Sequence, residues 1–371
     1  MIATTLLAMA FCAAAEPTVL FERTKIGDTT YEAASVFDVD KDGQVDIVSG
    51  GYWHAGPDFK TSHKICDVME ADDYYDDFSD YPMDVNGDGY MDIVTGGWFG
   101  GTVYWRENPK GQLVEWTTHE VAKTGNIERC SFYDIDGDGY VEVFATTSPV
   151  HFFRLVRDEN SVGQGRFEQY TITEGGGGHG FGCGDLNGDG RPDLIFSGGW
   201  MEAPENPYDV SAWKWHPEFN LSTASVPVLV HDVNKDGKND IIVGGAHVYG
   251  LWWFEQGDDG TWTQHVIEEF RSQYHEMQLA DIDNDGELEL VTGKRYRAHR
   301  GHDPGGHDPI GTYYYDISPD GFTRHTLDYG PAGRASGIGI YCWITDIDGN
   351  GWLDIVAPGK EGMYLFTSLG R

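Results

Sequence analysis

The chain of 371 residues could fold as one large β domain or as two or three average ones, and 40% apolar residues supply ample core. Its 50 Gly, 20 Tyr, 18 Phe and 12 Trp favour turns and aromatic-rich strands over a helix bundle. With 61 Asp+Glu against 25 Lys+Arg the net charge is −36, which excludes a nucleic-acid partner because phosphate recognition needs a basic face.

Residues 1–15, MIATTLLAMAFCAAA, lack a basic start but end a short apolar stretch on Ala13-Ala14-Ala15. This predicts a signal peptide cut before Glu16 and export of residues 16–371 to the periplasm or the exterior. No later segment is apolar for long enough to cross a bilayer as a helix. FERTKI (21–26) reads as a strand. Four cysteines follow, Cys66, Cys130, Cys183 and Cys342; they match no zinc motif, and disulfides and buried free thiols fit them equally.

One eleven-residue pattern then recurs seven times, with starts 46, 50, 51, 47, 49 and 65 residues apart. DVDKDGQVDIV (38–48) carries Asp38, Asp40, Asp42 and Asp46, and DVNGDGYMDIV (84–94) carries Asp84, Asn86, Asp88 and Asp92. DIDGDGYVEVF (134–144) has Asp134, Asp136, Asp138 and Glu142; DLNGDGRPDLI (185–195) has Asp185, Asn187, Asp189 and Asp193. DVNKDGKNDII (232–242) has Asp232, Asn234, Asp236 and Asp240; DIDNDGELELV (281–291) has Asp281, Asp283, Asp285 and Glu289. DIDGNGWLDIV (346–356) closes the series with Asp346, Asp348, Asn350 and Asp354.

Oxygen ligands at positions 1, 3, 5 and 9, with Gly at 6 for a sharp turn, are the chemistry of a calcium loop. An EF-hand would close with Glu at position 12 between helices; here the acid stands at 9 and a β-branched run follows, so the context is strand–loop–strand. Seven Ca²⁺ ions of charge +2 would take −36 to −22, which makes the expected metal structural, stabilising the fold by relieving carboxylate repulsion.

These motifs resemble the FG-GAP or VCBS repeats that build β-propellers. The resemblance implies an all-β, seven-bladed propeller in which each calcium loop joins strand A to strand B of a four-stranded blade. Aromatic runs such as TVYWREN (102–108), GLWWFEQ (250–256) and GTYYYDIS (311–318) fit strand C, and WTTHEV (116–121), WTQHVI (262–267) and FTRHTL (322–327) fit strand D. FERTKI then supplies the strand D missing from blade 7 and closes the ring, removing open sheet edges.

With calcium loops at one end of the strands, the B–C connections and the starts of strand A share the other face, at the mouth of the channel. That face gathers Trp53, His54, Trp98, His151, Trp200 and His247 just after strand B, and Glu32, Glu128, His179 and His275 before strand A. It also receives residues 294–308, where Lys294, Arg295, Arg297, Arg300, His299, His302 and His307 crowd into fourteen positions. His63, His119, His216, His265 and His325 are expected to be structural.

The loop GKRYRAHRGHDPGGHDP (293–309), set among seven calcium blades, resembles the propeller part of aldos-2-ulose dehydratase and its bacterial relatives, which remove water from keto-sugars such as 1,5-anhydrofructose. It implies a carbon–oxygen lyase acting on a saccharide by β-elimination, a sugar dehydratase or, by the same logic on uronates, a polysaccharide lyase. The chemistry needs a base, an enolate stabiliser and an acid. The sequence offers His179 or His275 as base, and Lys294 and Arg295 for the oxyanion, with a further Zn²⁺ or Mn²⁺ at the channel mouth as an option. Tyr296, His299 or His302 would be the proton donor. Trp53, His54, Trp98, His151, Trp200, His247 and Arg297 are candidate sugar contacts. The competing reading is a calcium-stabilised adhesion propeller that binds glycan or protein without catalysis. Convergence of His179, His247, His275 and the 294–302 loop on one cavity favours the enzyme; scatter around the rim favours the binding module.

Overall fold

In the computed structural model, which describes residues 18–221 and 223–371, every acidic motif turns between two short antiparallel strands. The expected signal peptide lies outside the described residues. Strand B of each blade reads as an unbroken apolar run because it is covered on both sides by neighbouring blades. In blade 1 the strands are Ser35–Phe37, Asp46–Ser49, Tyr52–Ala55 and Thr61–Lys64, hydrogen-bonded in that order. Six further four-stranded sheets follow the same plan, so the chain is a seven-bladed β-propeller. Blade 7 takes Trp343–Thr345, Asp354–Ala357 and Met363–Ser368 from the end of the chain and its outer strand, Phe21–Gly27, from the beginning. Phe21 stands opposite Ser368 and Lys25 opposite Tyr364, which closes the ring as the sequence predicts. No helix among the described residues is long and apolar enough to cross a membrane.

The core is divided rather than central. One apolar cluster fills each of the seven spaces between adjacent blades, from Phe37, Val48 and Ile93 between blades 1 and 2 to Val36, Val356 and Leu365 between blades 7 and 1. Strand C feeds these clusters with aromatic rings, each stacked on a histidine of strand D: Trp105 on His119, Trp200 on His216, Trp253 on His265 and Tyr314 on His325, with centroids 4.2–4.4 Å apart. Trp53 and His63 pair likewise in blade 1. A carboxylate fixes each of the four stacked imidazoles at 2.8–3.0 Å, from Glu107, Glu202, Glu255 and Asp316. The strand D histidines are therefore structural, as expected. All four described cysteines are free thiols, with Cys130 and Cys342 wholly buried between blades.

The acidic loops share one hydrogen-bond scheme. The first Asp accepts from the Gly N–H at position 6 in all seven, at 2.8–3.1 Å. Those glycines have φ between +87° and +93°, a region closed to side chains at low cost. Position 4, to which the sequence assigned no role, is also left-handed; it is Gly in four loops and Lys41, Lys235 and Asn284 in the others. The buried acid at position 9 accepts from the backbone N–H of position 2 in every loop, at 2.7–3.2 Å. In the five blades where it is Asp, its other oxygen accepts an N–H at the end of strand C, at 2.7–2.9 Å. Burial pushes the carboxyls of Asp46, Asp193 and Asp240 up to about 6, and those of Asp92, Glu142 and Glu289 up to about 7. Position 9 is thus a clamp between loop and sheet, beyond the ligand role that the motif suggests. Asp240→Ala strands the buried N–H of Val233 and frees the partly buried one of Gln256, and is expected to cost about 1–3 kcal/mol in denaturant unfolding, in calcium-free buffer as well as with Ca²⁺.

Candidate functional site

At the end of the strands away from the acidic loops, two insertions meet. One is the blade 6 connection 294–309, between Glu289–Gly293 and Ile310–Ser318, where the sequence places it. The other is a hairpin, Glu70–Ala71 with Tyr74–Tyr75, between blades 1 and 2. Arg297 binds Asp73 at 2.5 Å, Arg300 binds Asp72, and the Tyr74 hydroxyl accepts from the His299 backbone N–H at 2.6 Å. Tyr74 lies between two cations, with Lys360 Nζ 3.5 Å and the Arg295 guanidinium 5.5 Å from its ring centre.

Below this contact lies a cavity of about 420 Å³. Tyr74, Phe78, Trp98 and Phe99 form an aromatic wall; Glu128, His179, His247, Arg295 and His299 form a polar one, with Asp72 at the lip. The His179 and His247 Nε2 atoms are 3.0 Å apart, and Glu128 Oε1 is 3.5 Å from His179 and 3.9 Å from His275. Asp303 accepts from two imidazoles, one on each oxygen: His247 Nδ1 at 2.9 Å and His299 Nδ1 at 3.0 Å. Burial lowers the pKa of His179, His247 and His275, and Arg295 lowers that of His275 further, so these imidazoles are neutral at pH 7. Arg295 is buried; Glu32 binds it through two contacts of 2.8 and 3.1 Å, and its Nη1 reaches His275 Nε2 at 3.2 Å. Under the cavity Arg129 and Glu276 pair inside the channel, with Arg129 4.4 Å above the Tyr341 ring.

The structure thus brings together His179, His247, His275, His299, Arg295 and Trp98. It places the other sequence candidates elsewhere. Trp53 and Trp200 are buried in interblade clusters, because each lies in strand C and packs on a strand D histidine, His63 and His216, whereas Trp98 precedes its strand C. His54 is buried against Gly27 of the closing strand, and His151 bonds Thr171 across strands C and D at 2.9 Å. Lys294 is turned inward; its ammonium donates to Ser272 Oγ, Gln273 Oε1 and the Gly305 carbonyl at 2.7–3.0 Å, and burial lowers it to about 8. It anchors the loop rather than facing the cavity. Tyr296 and His302 do not line the cavity, and Arg297 lines a neighbouring groove. The arginines of this loop are paired, Arg295 with Glu32, Arg297 with Asp73 and Arg300 with Asp72.

Sequence reading placed Glu128 and Glu32 on this face without a role, and overlooked Tyr74, Phe78, Asp72 and Asp303. The run EADDYYDDFSD (70–80) was the available signal, an acidic and aromatic insertion facing a basic one.

A model of FG-GAP-like repeats matches residues 84–145 and 232–292, each stretch running from one acidic loop through strand B of the next blade. The chain carries FG-GAP-like repeats. No curated protein matches it. Among solved structures it is similar to the exotype rhamnogalacturonan lyase YesX, at 13% identity and a TM-score of 0.49 over 96% of this chain and 75% of that one. It is similar to the rhamnogalacturonan lyase YesW at 14% and 0.47 over the same shares. It is also similar to the V. cholerae biofilm matrix protein Bap1 at 18% and 0.33, over 66% of this chain and 38% of that one.

Glu32→Ala removes the bidentate partner of a buried guanidinium. It is expected to destabilise the protein by about 3–5 kcal/mol in denaturant unfolding, and Arg295→Met added to it should restore much of the loss.

Proposed function

We propose that the protein is an exported, calcium-stabilised lyase that removes water from a keto-sugar or related saccharide by β-elimination in this cavity. The observation that supports it most is convergence: three imidazoles, a carboxylate and a guanidinium share with an aromatic wall a space of small-sugar size, and His275 is buried behind them. Aromatic faces suit a pyranose ring.

His299 is the residue best arranged to move the proton. Asp303 holds its Nδ1–H, which leaves Nε2 with a lone pair on an exposed ring. Nε2 takes the proton from the carbon beside the carbonyl; the C–O bond at the next carbon breaks, C=C forms, and the same imidazolium returns the proton to the departing oxygen as water leaves. Arg295 stands at the cavity wall where enolate charge would develop. His179 remains the alternative base.

The donor atoms of Glu128, His179, His247 and His275 lie within 4.8 Å of one another, and the spacings of 3.0, 3.5 and 3.9 Å bracket the edge of about 3.3 Å of a tetrahedron around Zn²⁺ at about 2.0–2.1 Å. Asp303 behind His247 is the outer carboxylate such a ligand usually has. The set therefore fits a divalent ion such as Zn²⁺ or Mn²⁺, which when bound would supply positive charge to an enolate oxygen. The acidic loops fit Ca²⁺: Asp38, Asp40 and Asp42 gather their oxygens, as do Asp134, Asp136 and Glu142, and Asp281, Asp283 and Asp285.

The test is ultraviolet absorbance of a conjugated enone on incubation with 1,5-anhydrofructose, 3-keto-glucosides and uronate oligomers, with Ca²⁺ and with or without Zn²⁺ or Mn²⁺. Growth on a keto-sugar is expected, reduced about 10²–10⁴-fold in His299→Ala. Full activity in His299→Ala would remove its role. No growth on any substrate, with saturable glycan binding retained, would leave the binding-propeller reading.

A further inference from the structure

The cavity is not the only space under the two insertions. A groove of about 360 Å³, lined by Asp72, Asp73, Arg297 and Arg300, adjoins it, and Asp72 belongs to both. We propose that this groove is a second saccharide subsite, so that the ligand is a glycoside or the end of an oligosaccharide, with one ring in the cavity and the attached ring in the groove. The proposal rests on the saccharide reading of the cavity.

Backbone strain concentrates at this contact. Eleven non-glycine residues among those described have φ between +45° and +63°. Lys41, Lys235 and Asn284 hold position 4 of acidic loops, where the turn demands it. Of the other eight, Asp72, Gln273, Arg297, His299 and Arg300 lie around this one contact. Such strain persists only where surrounding contacts over-determine it, and it concentrates where side chains are held for a ligand. The contacts that hold it here are the groove's own ion pairs, Arg297 with Asp73 and Arg300 with Asp72.

Each guanidinium has five N–H donors and each carboxylate about four acceptor positions, and a pair uses a fraction of them. What remains is a row of donors beside acceptors, partly buried at Arg297 and Asp73 and exposed at Arg300 and Asp72, which suits vicinal hydroxyl groups. The four lining side chains sum to zero charge, with Lys360 3.4 Å from Asp73 behind them, so two carboxylates face the groove and favour hydroxyl groups over a phosphate or uronate. The groove has no aromatic lining, so it would read hydroxyls where the cavity stacks a ring face.

Titration calorimetry on the full chain with Ca²⁺ tests this, using glucose against cellobiose, maltose and gentiobiose. At least one disaccharide should bind 10-fold or more tighter than glucose. Arg300→Ala should bring it to the affinity of glucose while leaving glucose unchanged, which also reports an intact cavity; Arg297→Ala is the second variant. Equal affinity for glucose and every disaccharide would overturn the subsite and leave the cavity's saccharide reading standing. A disaccharide preference that survives both variants would also overturn the subsite. Failure of all four sugars to bind would overturn the subsite, while the keto-sugar absorbance assay decides the reading of the cavity separately.

Discussion

The carboxylate at the ninth position of each acidic loop is the constraint on which the rest of the propeller depends. It is buried, and it accepts a backbone N–H from its own loop and, in the Asp blades, another from the end of strand C. A single side chain thereby sets where strand A turns into B and where C stops. The clamp at the A–B turn is repeated in all seven blades and the one at strand C in five, so that apolar strand faces meet in seven interblade clusters. It also commits one end of every blade to structure. The two insertions that meet over the cavity are at the opposite end, while the 203–213 connection of blade 4 stays at the acidic end, where the Tyr208 hydroxyl contacts Asp136 and Glu142 of blade 3.

Those insertions bring opposite charge to the same place. Each cation of the basic loop that reaches the cavity region finds a defined partner: Arg295 with Glu32, Arg297 with Asp73, Arg300 with Asp72, and Lys294 with three neutral oxygens. The outcome is rigidity rather than a positive field. Holding the buried pair is costly in desolvation, and removing one partner leaves the other charge uncompensated. The neutral imidazoles below keep their lone pairs because burial and the nearby guanidinium oppose their protonation.

The blade number, the loop position and the closing strand were readable because each follows from a periodic local signal. His179, His247 and His275 could be brought together because their phase relative to the repeat puts them at the same end of successive blades. Trp53 and Trp200 share that phase, yet their strand D histidines capture the rings, a cross-strand pairing that spacing alone does not reveal. Lys294 was misread for a similar reason. Composition marks it as a cation in a basic loop, whereas its inward direction depends on Ser272 and Gln273 from the neighbouring strand and turn. The hairpin at 70–75 has no counterpart in other blades, so no repeat could expose it.

Asp303 joins these levels. It sits in an Asp-Pro pair of the basic loop and gives one oxygen to His247 and the other to His299. Accepting at Nδ1 of both rings places both protons there and leaves Nε2 of each bare. The Nε2 of His247 then points into the Glu128–His179–His275 group, while the ring of His299, stacked on His247 at 4.2 Å, borders the cavity. One carboxylate therefore sets the tautomer of a buried imidazole and of a cavity-lining one together. The insertion does more than roof the cavity: through Asp303 it turns one bare Nε2 toward the buried group and leaves the other on an exposed ring.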